Sequence, residues 1–145
     1  MRILILGGGT FVGRSLVESA VERGHDVTTL TRSSQPPGAE DGTIEALHGD
    51  RTTPDGLRQL ASREWDVVFD TWSGAPRVVR LSVAALRDRV PYYSYVSSRS
   101  VYQEPMPAGS NETHPTVDAD PAADLTDYAA DKRGGELAVS EGYGE

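Results

Sequence analysis

A short aliphatic run that ends in three glycines is the feature that most constrains the fold of this chain. Ile3 to Leu6 is continuously apolar, as in a strand buried on both faces of a parallel sheet, and Gly7-Gly8-Gly9 follows it as a tight turn. Apolar residues then recur at helical spacing from Val12 to Val21, and Gly24 ends the pattern. The sequence therefore predicts a β-strand, a glycine turn and an α-helix as its first unit.

Strands and helices keep alternating along the rest of the chain. We predict further strands at residues 26–30, 44–47, 66–70 and 92–96, a helix from 54 to about 61, and helices at about 77–89 and 126–140, the last interrupted by Gly134-Gly135. Residues 31–42 and 103–125 are predicted to be loops, the second an active-site loop with a disordered segment as the alternative. Such alternation requires a parallel sheet with right-handed crossovers and helices on both faces. We therefore predict one domain, residues 1–145, with a Rossmann-type doubly wound α/β fold.

Composition excludes several classes of protein. No apolar run approaches the roughly 20 residues that span a bilayer, and the N-terminus lacks the pattern of a secretory signal, so we expect a soluble cytoplasmic protein without a membrane partner. The chain has no cysteine, and its three histidines (His25, His48 and His114) are far apart, so we expect no metal site. The net charge of -8 argues against broad binding to nucleic acid.

The glycine turn is suited to the pyrophosphate of a dinucleotide. In a Rossmann unit the first strand-to-helix turn brings backbone N–H groups and the positive helix end against the phosphates. The spacing here is irregular, because three residues separate Gly9 from Gly13, and Thr10 stands where a G-x-x-G-x-x-G pattern has its middle glycine. A tight turn in an unrelated α/β domain is the alternative. The predicted cofactor-binding residues of this turn are Gly7, Gly9, Thr10, Phe11, Val12 and Gly13.

The end of the second strand favours NADP as the cofactor. An acidic residue there would bond the ribose 2′-hydroxyl of NAD, whereas an arginine accommodates the 2′-phosphate of NADP. The segment from Leu30 to Ser34 contains no carboxylate, and Arg32 with the hydroxyls of Ser33 and Ser34 could hold a phosphate. We therefore expect NADP, with NAD as the alternative. A solvated loop arginine is the other interpretation of Arg32.

Tyr128 and Lys132 form a candidate catalytic pair. Residues four apart lie on one face of a helix, and a cation near a phenol lowers its pKa so that it can transfer a proton at a reacting oxygen. Of the 14 basic residues, 13 are arginine, and the only lysine stands at this spacing. Ser97 and Ser98 follow the fifth strand, where ligands bind in open α/β sheets. A surface lysine and turn-forming serines are the alternatives.

Together these motifs resemble the extended short-chain dehydrogenase/reductases, the NAD-dependent epimerase/dehydratase family. The resemblance covers essentially the whole chain and rests on residues 7–13, 49–51, 66–70, 97–102 and 128–132. It implies that Ser98 is the catalytic hydroxyl, Tyr128 the general acid/base, and Lys132 the tyrosine's activator and a ligand of the nicotinamide ribose. It also implies that Asp50 and Arg51 lie beside the adenine and that Thr71 lies beside the cofactor.

The resemblance further implies an NAD(P)-dependent oxidoreductase or epimerase that acts on a nucleotide-linked sugar or a similar hydroxyl or carbonyl compound. Thr10 and the stretch Thr71-Trp72-Ser73-Gly74 depart from the family pattern and indicate an atypical branch, similar to bacterial reductase-like and chloroplast stem-loop-binding relatives. A non-catalytic NAD(P) sensor or RNA-binding relative is therefore the alternative. Family members continue past the Tyr-Lys helix, so we expect an N-terminal portion, truncated before the later strands and the substrate-binding region and inactive by itself. Pairing of the helices at about 77–89 and 126–140 between subunits would make a homodimer.

Overall fold

Five parallel strands form one sheet in the computed structural model, which describes residues 1–32, 36, 38–40 and 42–144. The strands are β1 (Arg2–Leu6), β2 (Asp26–Thr31), β3 (Glu45–His48), β4 (Val67–Asp70) and β5 (Tyr93–Tyr95). Their order is β3-β2-β1-β4-β5, so the chain moves outward from β1 to one edge and then returns to build the other half. The predicted Rossmann-type parallel sheet is confirmed.

The helices cover both faces of this sheet. They are α1 (Phe11–Glu22), α2 (Pro54–Leu57), α3 (Pro76–Leu86) and α4 (Tyr128–Tyr143), with 3-10 turns at Arg58–Leu60 and Arg99–Val101. Side chains alternate along a strand, so Ile3 and Ile5 of β1 pack toward α1 while Leu4 and Leu6 enter the core on the opposite face. The continuous aliphatic run is thus explained by burial on both faces. In the described part of the chain, no helix is long and apolar enough to cross a membrane.

Helix α4 differs from its prediction at both ends and in the middle. It begins at Tyr128 rather than residue 126, because the Asp127 carboxylate caps it by accepting hydrogen bonds from the N–H groups of residues 129 and 130, each 3.0 Å long. Gly134 and Gly135 do not interrupt the helix. A Cβ at Gly134 would lie 2.5 Å from Cγ of Pro76, and one at Gly135 would lie 2.5 Å from the Tyr95 hydroxyl. The two glycines therefore allow α4 to pack closely against α3 and β5.

Residues 103–125 contain no helix or strand, as predicted. Two backbone hydrogen bonds tie the segment to itself and to the preceding turn, from Gln103 N to the Pro115 carbonyl (2.9 Å) and from Val117 N to the Val101 carbonyl (2.8 Å). Tyr102 and Thr116 form an isolated antiparallel bridge between these two bonds. The segment is an anchored loop, and its role at an active site stays a prediction.

Candidate functional site

A groove of about 300 Å³ opens at the carboxyl ends of β1, β2 and β4. This is the point where the strand order reverses, and ligands bind there in open α/β sheets. Seven of the ten predicted cofactor-binding residues line it: Gly7, Gly9, Thr10, Arg32, Asp50, Arg51 and Thr71. The other three, Phe11, Val12 and Gly13, form the first residues of α1 beside it. The fold therefore brings together residues that are up to 64 positions apart in the chain.

The glycine turn is shaped by close backbone contacts. Gly7 has a φ of +101°, which favours glycine, and its N–H donates to the Leu30 carbonyl at 3.1 Å. A Cβ at Gly7 would lie 2.5 Å from Oγ1 of Thr71, and a Cβ at Gly13 would collide with the carbonyl oxygen of Gly7. Gly13 therefore permits the close contact between helix and strand that a dinucleotide turn requires, despite the irregular spacing.

The N-terminus of α1 has no side-chain cap. Thr10 occupies the N-cap position in an extended conformation, but its hydroxyl makes no capping hydrogen bond, and the first turn carries no acidic residue. The first N–H groups of a helix lack partners within the helix, and the helix dipole adds partial positive charge there. This helix end, together with the side-chain-free turn before it, fits a pyrophosphate.

Arg32 and Asp50 lie at the end of the groove formed by β2 and the segment after β3. The Asp50 carboxylate accepts hydrogen bonds from the hydroxyl (2.7 Å) and the N–H (2.9 Å) of Thr52. These bonds, aided by the positive charge of Arg32, hold the pKa of Asp50 below its ordinary value. Arg32 is exposed, and its predicted partners Ser33 and Ser34 lie outside the described residues.

Arg51 lies in a buried ion pair on the inner wall of the groove. Its guanidinium donates to both carboxylate oxygens of Asp70, at 2.6 and 2.5 Å, and to the Ser82 hydroxyl at 2.9 Å. The Tyr93 hydroxyl also donates to Asp70, at 2.6 Å, and the guanidinium carbon lies 5.3 Å from the centre of the Trp72 ring. Burial opposes both charges, but their mutual attraction outweighs it, so the pKa of Asp70 is lowered and that of Arg51 is raised. The adenine contact predicted for Arg51 stays a prediction.

The sequence did not lead us to predict the ion pair between Arg51 and Asp70. Asp70 matched the family pattern only as the last residue of a strand, and no spacing rule joins it to Arg51. The one available signal was a carboxylate at the end of an otherwise apolar strand, because a buried charge needs a partner.

Lys132 lies beneath the loop that follows β4. Its ammonium donates to the carbonyls of Trp72, at 2.6 Å, and Val96, at 2.5 Å, and lies 4.6 Å from the centre of the Tyr95 ring. The residue is only 3% exposed, and this burial lowers the pKa of the ammonium although nearby Asp70 opposes the change. The alternative of a surface lysine is therefore wrong.

Tyr128 and Ser98 occupy the same end of the sheet as Lys132. Tyr128 is the first residue of α4 and is 52% exposed. Ser98 caps the 3-10 turn after β5, where its hydroxyl accepts a hydrogen bond from the N–H of Ser100 at 3.2 Å, and this turn packs against α4. The catalytic roles of all three residues remain predictions. No group of three or more acidic or histidine residues that could hold a metal ion occurs among the described residues.

Comparison with known proteins identifies the family. The sequence model of the NAD dependent epimerase/dehydratase family matches residues 3–142. This chain belongs to that family. It is similar to the 2′-dehydrokanamycin reductase of Streptomyces kanamyceticus, with 31% identity over 144 residues that cover 97% of this chain and 37% of the relative. It is also similar to the chloroplast stem-loop binding protein of 41 kDa b of Arabidopsis thaliana, with 35% identity over 114 residues, 70% of this chain and 30% of the relative.

Solved structures share the fold. The Bordetella bronchiseptica enzyme WbmG in complex with NAD has a TM-score of 0.77 and 21% identity, covering 98% of this chain and 50% of its own. The UDP-glucose 4-epimerase of Bifidobacterium longum in complex with NAD+ and UDP has a TM-score of 0.75 and 17% identity, covering 97% and 48%. This chain spans about a third of the length of the two curated relatives and about half of these structures.

Proposed function

We propose that this chain is the cofactor-binding part of an NAD(P)-dependent oxidoreductase or epimerase that acts on a hydroxyl or carbonyl compound such as a nucleotide-linked sugar. The observation that carries the proposal is the groove in which the uncapped end of α1 and the glycine turn meet. A nicotinamide cofactor held there by the glycine turn and the first residues of α1 would supply hydride exchange with a carbon that bears oxygen. Family membership supports this chemistry.

The residues of this chain that would take part form a cofactor-binding set and a catalytic set. The glycine turn and the first residues of α1 would bind the pyrophosphate, Asp50 and Arg51 would lie on the adenine side, and Thr71 would line the cofactor. Tyr128 would move the proton at the reacting oxygen, and Ser98 would donate a hydrogen bond to the same oxygen. Lys132 would lower the pKa of the Tyr128 phenol through its positive charge.

NADP is the proposed form of the cofactor. Arg32 is exposed at the end of β2, lines the groove and has no acidic neighbour in the two residues on either side. A titration of the protein with NADPH and NADH tests this. Because a phosphate contact by an arginine contributes about 1.5–3 kcal/mol, Arg32→Ala should weaken NADPH binding about tenfold or more and leave NADH binding unchanged.

The control for this titration is Arg58→Ala, which removes an exposed arginine that pairs with Asp55 outside the groove. It should change neither affinity. If Arg32→Ala weakens both cofactors equally, the NADP assignment is wrong. If the unaltered protein binds neither cofactor, the proposed function is wrong.

A non-catalytic NAD(P) sensor or RNA-binding relative with the same fold is the second candidate, and the similarity to the stem-loop binding protein favours it. Turnover in the full-length protein that contains this chain separates the two. For an enzyme, Tyr128→Phe should abolish oxidation of NADPH by a reducible carbonyl substrate without changing NADPH affinity. Binding of NADPH with no turnover of any tested carbonyl or nucleotide sugar would favour the sensor.

We further propose a homodimer through α3 and α4. Leu81, Ala84 and Ala85 line shallow apolar surface cavities along α3, which supports an apolar contact there. Sedimentation of the protein measures its mass directly, and a monomer at all concentrations would contradict this assembly.

A further inference from the structure

Every polar atom of Trp72 forms a hydrogen bond with another residue of the chain. Its backbone N–H donates to Asp70 at 2.9 Å, and its indole N–H donates to the Ala75 carbonyl at 3.0 Å. Its carbonyl accepts two further hydrogen bonds, from the Lys132 ammonium at 2.6 Å and from the Tyr95 hydroxyl at 3.0 Å. Trp72 and the residues on either side of it line the groove. Thr71 is fixed separately, because its N–H (3.2 Å) and hydroxyl (3.0 Å) both donate to the Leu6 carbonyl. The hydrogen bonds of Trp72 therefore determine the position of this wall from residue 72 onward.

Lys132 connects that wall to a second strand. Trp72 follows β4 by two residues and Val96 follows β5 by one, and the ammonium of Lys132 donates to the carbonyls of both. One cation on α4 thus links the carboxyl ends of two neighbouring strands. An ammonium has three N–H donors, so two are used by the protein and one is left.

We propose that Lys132 is a positioning residue for the groove: by binding the Trp72 carbonyl, it sets the place of Trp72 and Ser73 and thereby the affinity for the cofactor. The inference rests on the proposed function, because it assigns the groove to a dinucleotide. The hydrogen bonds themselves join protein atoms and require no cofactor. Lys132 thus acts on the groove before a cofactor enters, in addition to its proposed action on Tyr128.

The surroundings of Lys132 explain why a chain with 13 arginines has a lysine here. The ammonium fits between two carbonyl oxygens and the face of the Tyr95 ring. The Tyr95 ring packs directly against α4, since a single added Cβ at Gly135 would lie 2.5 Å from the Tyr95 hydroxyl. A compact ammonium can be buried in such a space, whereas a planar guanidinium needs room for its whole fork.

A fluorescence experiment on the cofactor-free protein tests this role. The chain has two tryptophans, and Trp65 is 4% exposed, so iodide quenching reports mainly on the partly exposed Trp72; Trp72→Phe identifies its contribution. Lys132→Met should shift Trp72 emission to longer wavelength and increase its quenching by iodide. Tyr128→Phe, which alters the proposed catalytic pair but no bond to Trp72, should change neither.

A second pair of variants keeps Lys132 in place. Tyr95→Phe removes only the other donor to the Trp72 carbonyl, so it should shift Trp72 emission in the same direction and weaken NADPH binding about tenfold, which corresponds to about 1.4 kcal/mol. Tyr143→Phe is the matched control, because the Tyr143 hydroxyl has no hydrogen-bond partner among the described residues. It should leave both measurements unchanged.

The outcomes separate this inference from the proposed function. If cofactor-free Trp72 emission and quenching are the same in Lys132→Met and the unaltered protein, the positioning role of Lys132 is wrong even when NADPH binds normally. If the emission shifts as expected but the unaltered protein binds no dinucleotide, the proposed function is wrong and the link to cofactor affinity falls with it. Should Lys132→Met fail to fold, Lys132→Arg takes its place, because a planar guanidinium cannot replace the compact ammonium between the two carbonyls; unchanged Trp72 emission and quenching in that variant would contradict the positioning role.

Discussion

The buried carboxylate of Asp70 accepts hydrogen bonds from three different residues of the site. Its carboxylate is fully buried and accepts four of them, two from Arg51 and one each from the Tyr93 hydroxyl and the Trp72 N–H. A carboxylate offers about four lone-pair sites, so all of them are used. This one residue therefore neutralises Arg51 and also orients the wall of the groove.

Asp70→Asn should destabilise the protein strongly. The amide has nearly the same shape, but it leaves the Arg51 guanidinium buried without a negative partner and turns an N–H₂ group toward donors. Removing one partner of a buried ion pair costs about 3–5 kcal/mol. Urea unfolding should show a loss of that size. Asp55→Asn is the control, since Asp55 pairs with Arg58 where both side chains are largely exposed, and it should have little effect. Equal effects of the two variants would contradict the role of Asp70.

The elements show which parts of the site could be predicted from the sequence. The β1 strand, the glycine turn and α1 are contiguous, so an apolar run, a helical period and a glycine cluster were sufficient to predict them. Lys132 was found as a candidate, but its bonds to Trp72 and Val96 were not, because those residues lie 60 and 36 positions away in the chain. Contacts of that kind depend on the packing of α4, which no local pattern encodes.

Gly135→Ala tests how closely α4 must pack. In an isolated helix this change favours helix formation by about 0.8–1 kcal/mol. Here the new methyl group would lie 2.5 Å from the Tyr95 hydroxyl and 2.6 Å from its ring, so we expect a loss of thermal stability instead and a red shift of Trp72 emission. Calorimetry and fluorescence measure the two effects.

The control is Glu141→Ala, which changes an exposed position of the same helix and should have little effect. Gly142→Ala would be a poor control, because a Cβ there would collide with Val83. A more stable Gly135→Ala variant would show that α4 is free to move.

At the scale of the whole molecule, the Rossmann-type parallel sheet could be predicted from general rules. Alternating strands and helices with right-handed crossovers leave few arrangements, and the observed order β3-β2-β1-β4-β5 is one of those that place a crevice beside β1. The charge network beneath that crevice could not be predicted, because Arg51, Asp70, Tyr93 and Lys132 come from four separate segments. The same network determines how the stability of the whole domain responds to alkaline pH.

Buried tyrosines should make the domain lose stability as the pH rises above about 10. Burial raises the pKa of Tyr93 well above its ordinary value, with Asp70 adding to the effect, and burial also raises that of Tyr95 and brings that of Tyr143 to about 12. A raised pKa in the folded state means that the tyrosines of the unfolded chain release their protons first. The contribution of the buried tyrosines to the free energy of unfolding is therefore fully present below about pH 10 and is lost as the pH rises above it. The pKa of the Lys132 ammonium is lowered in the folded state, so its contribution to stability rises with pH and offsets part of this loss.

Tyr93→Phe isolates one contribution to this pH dependence. The free energy of unfolding, measured by urea titration from pH 8 to about pH 11, should fall less steeply in the variant than in the unaltered protein. The difference in slope should approach about 1.4 kcal/mol per pH unit, the value for one proton. The variant should also be less stable at neutral pH, because Asp70 loses a hydrogen bond. Tyr92→Phe, at a position that is 70% exposed, should keep the original slope. Parallel curves for Tyr93→Phe and the unaltered protein would show that Tyr93 ionises in the folded state as readily as in the unfolded one.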